Sequence, residues 1–153
     1  MSHVARIDLE INDLEALAVA AKQLGLEFVR GQETYRWYGR SVGDYALPVG
    51  FKAGDLGKCQ HVLRIPGSAG AFEIGITKRR DGGQGYCLLW DFWNGGRAWG
   101  ASGPGMQEKV GENGERLKQE YAAAVATKHA LKQGYRVFRT VKEDGRILLR
   151  ATK

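Results

Sequence analysis

The chain has no apolar run longer than a handful of residues, far short of the roughly 20 that a membrane-spanning helix requires. Its start, MSHVARIDLEI, alternates polar and apolar residues and lacks the continuous apolar stretch of a signal peptide. Proline is scarce at three residues and cysteine scarcer at two, Cys59 and Cys87. Two cysteines are no disulfide framework, and a reducing compartment favours free thiols. The location expected is therefore cytoplasmic, with no membrane partner.

Catalytic signatures are missing as well. GQGYC and NGGRAWGASGPG are glycine-rich, but neither carries a Walker lysine or the strand–glycine–helix order of a dinucleotide site. Cys59 has neither a glycine elbow nor papain-like flanks around it. Asp81 and Asp144 sit in turns, where aspartate belongs without any chemistry. Asp91 differs, because it lies inside LLWDFW among large apolar side chains. A buried carboxylate there is expected to be paired with an arginine, the alternative being a raised pKa and an acid–base role.

Metal binding has one weak lead. Lys58-Cys59-Gln60-His61 contains a Cys-x-His whose two side chains would share one face of a strand, with Cys87 as a conceivable third ligand. A structural zinc site needs four ligands in paired spacings. A buried thiol and a strand histidine are the simpler reading, and no metal or cofactor is expected.

What is present is an ordinary folded composition. With 153 residues, 43% hydrophobic and 26% charged, the chain is too apolar for disorder, and one domain over residues 1–153 is expected. A net charge of +6 and a pI near 9.4 suit a polyanionic partner, or equally the mere solubility of a small protein.

The patterning predicts an α+β fold. VARIDLEI alternates as a half-buried strand. Asn12-Asp13-Leu14-Glu15 reads as a capping box opening a helix through Leu14, Leu17, Ala18, Ala21 and Leu24, which Gly25 stops. Residues 26–40 return to strand character, and 41–58 read as a long loop of a length that hints at docking. HVLRI, AFEIGIT and YCLLWDFW are expected strands, with a glycine-rich hairpin tip in KRRDGGQG and irregular chain in NGGRAWGASGPG. A helix from about 112 to 132 carries Leu117, Tyr121, Ala124, Val125 and Leu131 as its apolar stripe. YRVFRTV and RILLRAT close the chain as a hairpin. The predicted architecture is a two-layer sandwich: a mostly antiparallel sheet packed on two helices, with a long central loop.

Two basic aromatic clusters stand out. One holds Arg30, Tyr35, Arg36, Trp37, Tyr38 and Arg40; the other joins Lys78, Arg79 and Arg80 to Trp93, Arg97 and Trp99. Aromatics flanked by arginines can stack the bases of single strands. Alternation splits the first cluster, which predicts Tyr35 and Trp37 in the core and Arg36, Tyr38 and Arg40 outside. The candidate binding surface is thus Arg30, Arg36, Tyr38, Arg40, Lys78, Arg79, Arg80, Arg97 and Trp99.

MSHVARIDLEINDLEAL, GYCLLWDFW, LKQEYAAAVATKHALKQGYRV and EDGRILLR together resemble the hypothetical chloroplast reading frame thirty-five family. This family of unknown function occurs in plastids, cyanobacteria and tailed bacteriophages. The passage YRWYGRSVGDYALP…DLGKCQHVLRIPG is similar to its bacteriophage branch. The resemblance spans nearly the whole chain but implies no catalytic residues. It implies a small non-enzymatic adaptor in the host bacterial cytoplasm, with an AAA-type ATPase or a small companion protein of similar strand content as partner. A single-stranded nucleic-acid-binding protein is the other reading.

Overall fold

The computed structural model describes residues 3–41, 43 and 45–153. Val42 and Asp44, within the expected 41–58 loop, lie outside the described residues, as do residues 1–2. The fold is α+β. Five strands form an antiparallel sheet: β1 (Val4–Ile11), β2 (Glu27–Arg30), β3 (His61–Arg64), β4 (Ile74–Lys78) and β5 (Tyr86–Asp91). Their spatial order is β1-β5-β4-β3-β2, so the first strand pairs with the fifth and the rest form a meander.

Helices α1 (Leu14–Gln23) and α3 (Glu115–Lys132) cover one face of the sheet, with the short α2 (Met106–Val110) beside them. Residues of period two supply the sheet side of this layer, among them Ile7, Ile11, Ile74, Ile76 and Leu88. Ala16, Leu17, Ala20 and Ala21 supply the α1 side, small enough for the helix to lie close to its neighbours. Asp13 alone caps α1, accepting from Ala16 N–H at 3.0 Å. Glu15 does not complete the expected capping box. With Asp13 it instead meets Lys128 of α3, at 3.3 and 2.9 Å. The Tyr121 hydroxyl accepts from Asn12 and Asp13 N–H, each at 3.1 Å, and ties α3 to the start of α1.

The other face of the sheet is covered by the chain between β2 and β3. Only residues 27–30 of the expected 26–40 strand enter the sheet; the rest is an extended strap. Residues 33–35 pair with 57–59 through Tyr35 N–H to Gly57 O and Cys59 N–H to Glu33 O, both at 2.9 Å. Tyr35, Phe51, Leu56 and Cys59 then close over Val4, Val62, Cys87 and Leu89 as a second core. Tyr35 lies flat across Gly75, where any Cβ would collide with its ring. The 41–58 segment therefore has a packing role on its inner side, while Leu47 and Val49 stay exposed on its outer side.

The last two strands, β6 (Arg136–Val141) and β7 (Ile147–Thr152), form a hairpin that pairs with no other strand among the described residues. It stands against α3, which projects beyond the sheet. Of the expected α3 stripe, Leu117 and Tyr121 are buried, whereas Val125 and Leu131 are exposed because the helix has outrun the sheet that would cover them. Glu120, buried on α3, takes the Arg139 guanidinium of β6: Nη2 lies 2.9 Å from Oε2, the hydrogen-bonded oxygen, and 2.7 Å from Oε1. No helix among the described residues is long and apolar enough to cross a membrane.

Candidate binding surfaces

The antiparallel registers put the candidate residues at opposite ends of the sheet. β4 enters beside Glu73 and leaves at Lys78, while β5 returns from Tyr86 to Asp91. Lys78, Arg79 and Arg80 thus sit at one end, with Arg30 of β2 turned the same way through the Arg30–His61–Ile76 register. Arg36, Tyr38, Arg97 and Trp99 gather at the other, beyond Asp91, with exposed Arg40 two residues along the chain from Tyr38.

The Lys78 end is internally neutralised. Arg79 is only 13% exposed and is gripped by Asp81, at 2.8 Å, and by Glu10. Arg6 meets the same Asp81 at 2.8 Å, so the carboxylate is held far below its ordinary range, chiefly by Arg79 and then by Arg6. Arg80 pairs with Asp55 at 2.8 Å and lies over the Phe51 ring. Arg30 lies over Phe28. Arg6, Arg79 and Arg80 fasten the loops and sheet together.

The opposite end is organised by Asp91. Its carboxylate is fully buried and accepts three backbone N–H groups: His3 at 3.0 Å, Trp93 at 3.1 Å and Tyr38 at 3.1 Å. The arginine expected here is replaced by main-chain amides, which satisfy a carboxylate equally well and leave no mark in the sequence. Fixing the two backbones brings the Tyr38 and Trp93 rings to 6.2 Å, and Trp93 in turn lies 6.0 Å from Trp99. Tyr38 is 42% exposed and Trp99 80%.

The tip bearing Trp99 is held from within. Asn94 adopts φ 54°, the one non-glycine residue at positive φ among those described. Its side-chain amide donates to Arg97 O at 3.3 Å and Ala98 O at 3.5 Å. The Arg97 guanidinium donates to Gly103 O at 2.7 Å. Residues 68–72 bridge the tip to the strap: Ala98 N–H meets Gly70 O at 2.8 Å, and Arg36 donates to Ala71 O, also at 2.8 Å. Arg36 is 40% exposed, and its carboxylate neighbour Glu73 is 3.9 Å away. Glu73 is itself buried and occupied by Arg36 N–H and Gln32.

Cys59 and His61 do not converge. The Cys59 thiol donates to Gln32 O in the loop-side core, while the His61 ring lies between Phe28 and Tyr86 and accepts from Gly31 N–H. Burial lowers the His61 pKa, with Arg30 adding to it. Burial also pushes the Cys59 thiol up to about 12. No three His, Cys, Asp or Glu side chains among the described residues could jointly hold a metal ion.

A further surface was not among the sequence candidates. The β6–β7 register places Phe138 opposite Arg150 and Thr140 opposite Leu148 on the outward face. Phe138 is 47% and Leu148 49% exposed, and the Arg150 guanidinium stacks over Phe138 at 5.1 Å. Behind the hairpin, a groove of about 640 Å³ runs between α1, α3 and β6, with Val19, Ala124, Leu131 and Val137 in its walls. Exposed apolar residues on a terminal hairpin were legible as alternation, but not that no other layer would cover them. No family model, curated protein or solved structure matches the chain.

Proposed function

We propose that the chain is a small non-enzymatic adaptor, an accessory protein of bacteriophage type, that docks a protein partner in the bacterial cytoplasm through its C-terminal hairpin. The observation that carries this reading is the unpaired two-stranded sheet. Such a hairpin is marginal on its own, and its outer strand edges offer N–H and C=O groups for strand addition. Phe138, Val141 and Leu148 remain exposed beside them.

Charge favours a different protein over a second copy. Residues 136–153 carry six cations, Arg136, Arg139, Lys142, Arg146, Arg150 and Lys153, against Glu143 and Asp144. Two such hairpins side by side would oppose like charges, which destabilises strand pairing. An acidic, strand-bearing companion fits, in keeping with the family resemblance; an AAA-type ATPase is the larger candidate. Two buried free thiols are consistent with a reducing compartment.

The test is cross-linking capture from phage-infected lysate, comparing the wild-type chain with a Phe138→Glu, Leu148→Glu variant. One stoichiometric protein cross-linked to residues 136–152 and lost in the variant supports the reading. Cross-links elsewhere, or no partner in repeated captures, overturn it. Sedimentation of the chain alone completes the test: a dimer broken by the same variant would make the occupant a second copy.

A further inference from the structure

Three segments build the Asp91 end of the molecule: residues 34–41, 65–72 and 92–107. Together they contain Arg36, Arg40 and Arg97 and not one acidic residue. Of the four carboxylates that flank them, Glu73 and Asp91 are buried and engaged by backbone amides, while Glu33 and Glu108 are exposed and Glu108 lines one cleft with Arg97, Glu112 and Glu115. Elsewhere three exposed arginines face carboxylates at short range, Arg80 with Asp55, Arg64 with Glu27 and Arg146 with Asp144. At this end Arg36 and Arg97 are hydrogen-bonded to neutral carbonyl oxygens, which position a guanidinium without cancelling its charge, and the Glu73 carboxylate stands 3.9 Å back from Arg36.

Beside these arginines the chain sets three rings in succession, Tyr38, Trp93 and Trp99. A tryptophan 80% exposed is costly to leave in water. Here its backbone is fixed by the left-handed Asn94 and by the Arg97–Gly103 hydrogen bond, so the ring is presented with little ordering left to do on binding.

We propose that this end is a binding site for single-stranded nucleic acid. Bases stack on Trp99 and Tyr38, with Trp93 as the fixed ring between them, and the phosphates lie against Arg36 and Arg97. Aromatic faces accept any base, so binding is sequence-tolerant, and the guanidinium contacts make it salt-dependent. Duplex fits poorly, because its bases are already stacked on one another and expose no faces. The site is independent of protein docking at the hairpin, which presents one ring instead of three and sits apart on α3.

The test is a fluorescence titration of the full chain with a 15-nucleotide oligothymidylate at 50 and 200 mM salt. Tryptophan quenching that saturates, and weakens at the higher salt, is expected. Trp99→Ala should lower affinity roughly 5- to 150-fold, the range of one lost base–aromatic stack, with Trp99→Phe restoring most of it. Arg97→Gln should weaken binding and reduce the slope of log K against log salt by about 0.7. Circular dichroism checks that each variant is folded, and Trp99 is exposed enough to be replaced without disturbing the core. Equal affinity for a duplex of the same length, or no effect of Trp99→Ala, would overturn the proposal. So would an equal loss from Lys78→Gln or Arg150→Gln, which would reduce the binding to general charge. Because these readouts need no protein partner, the failure of one reading leaves the other standing.

Discussion

Tyr38 and Trp93 share one carboxylate: the N–H of Tyr38 donates to Asp91 Oδ2 and that of Trp93 to Oδ1, each at 3.1 Å. A residue in the strap and a residue after β5, far apart in sequence, thereby acquire a fixed ring-to-ring geometry. The exposed aromatic surface is built by a side chain that is not itself exposed.

Asp91→Asn keeps the shape but turns one acceptor oxygen into a donor facing an N–H group. The expected cost is about 3 kcal/mol, from a lost charge-assisted bond and an unsatisfied buried donor. Urea denaturation measures it, and a loss below about 1 kcal/mol would refute the role given to Asp91.

Tyr35 carries a second consequence of close packing. Its hydroxyl is buried with no hydrogen-bond partner among the described residues, and burial first of all pushes its pKa up to about 12. Tyr35→Phe removes an unsatisfied group and should leave stability unchanged or raise it by up to about 1 kcal/mol. Gly75→Ala, by contrast, places a methyl group inside the Tyr35 ring. It should destabilise by about 1–3 kcal/mol, as overpacking does. Thermal melts of the two variants moving in the same direction would contradict this packing.

The two thiols are protected by burial. Cys59 is pushed up to about 12 and Cys87 is also raised, desolvation being the leading cause for both. At pH 8 neither holds appreciable thiolate, so neither should react with an aromatic disulfide reagent in the native state, and both should react in urea. Rapid native labelling of one cysteine would show that the strap opens.

Asp81 predicts a pH dependence. Its native pKa lies well below the unfolded value of about 3.9, so protons bind the unfolded chain more readily. The stabilisation is complete above that unfolded value and is lost as pH falls through the native one. Asp81→Asn should therefore lower the urea midpoint at pH 6, with the difference from wild type narrowing toward pH 2. A constant difference across that range would rule out the linkage.

Arg139→Ala strands Glu120 in a buried setting. The hydrogen bond lost joins two charged groups, so the cost should be about 1.5–3 kcal/mol. It should fall on the hairpin, read as faster amide exchange in β6 and β7 with the five-stranded sheet unchanged. Uniform acceleration across the molecule would mean that the hairpin is not a separate unit.

Much of this was legible along the chain. The alternation of residues 35–40 separates buried Tyr35 and half-buried Trp37, which packs on the edge of the core, from exposed Arg36, Tyr38 and Arg40, even though the segment is a strap and not a strand. Alternation reports only which way an extended chain faces, not what it pairs with. The glycine that makes the strap possible, Gly75, carries no such pattern and is recognisable only under the Tyr35 ring. The partners of Asp91 are backbone amides, which every residue possesses. The splitting of the basic residues between two ends, and the exposure of Val125 and Leu131, depend on strand direction and helix length relative to the sheet.

The order β1-β5-β4-β3-β2 also governs how the molecule comes into being. Strands β3 to β5 follow one another in sequence and zip together by short connections, and β2 joins β3 across the strap. β1 must keep its apolar face until β5 exists, 87 residues later by the Val4–Asp91 pairing. Closing that long loop is entropically slow, so during synthesis the first strand is an unpaired, apolar edge exposed to chaperones and to other nascent copies. The strand whose alternation is plainest in the sequence is among the last to find its place.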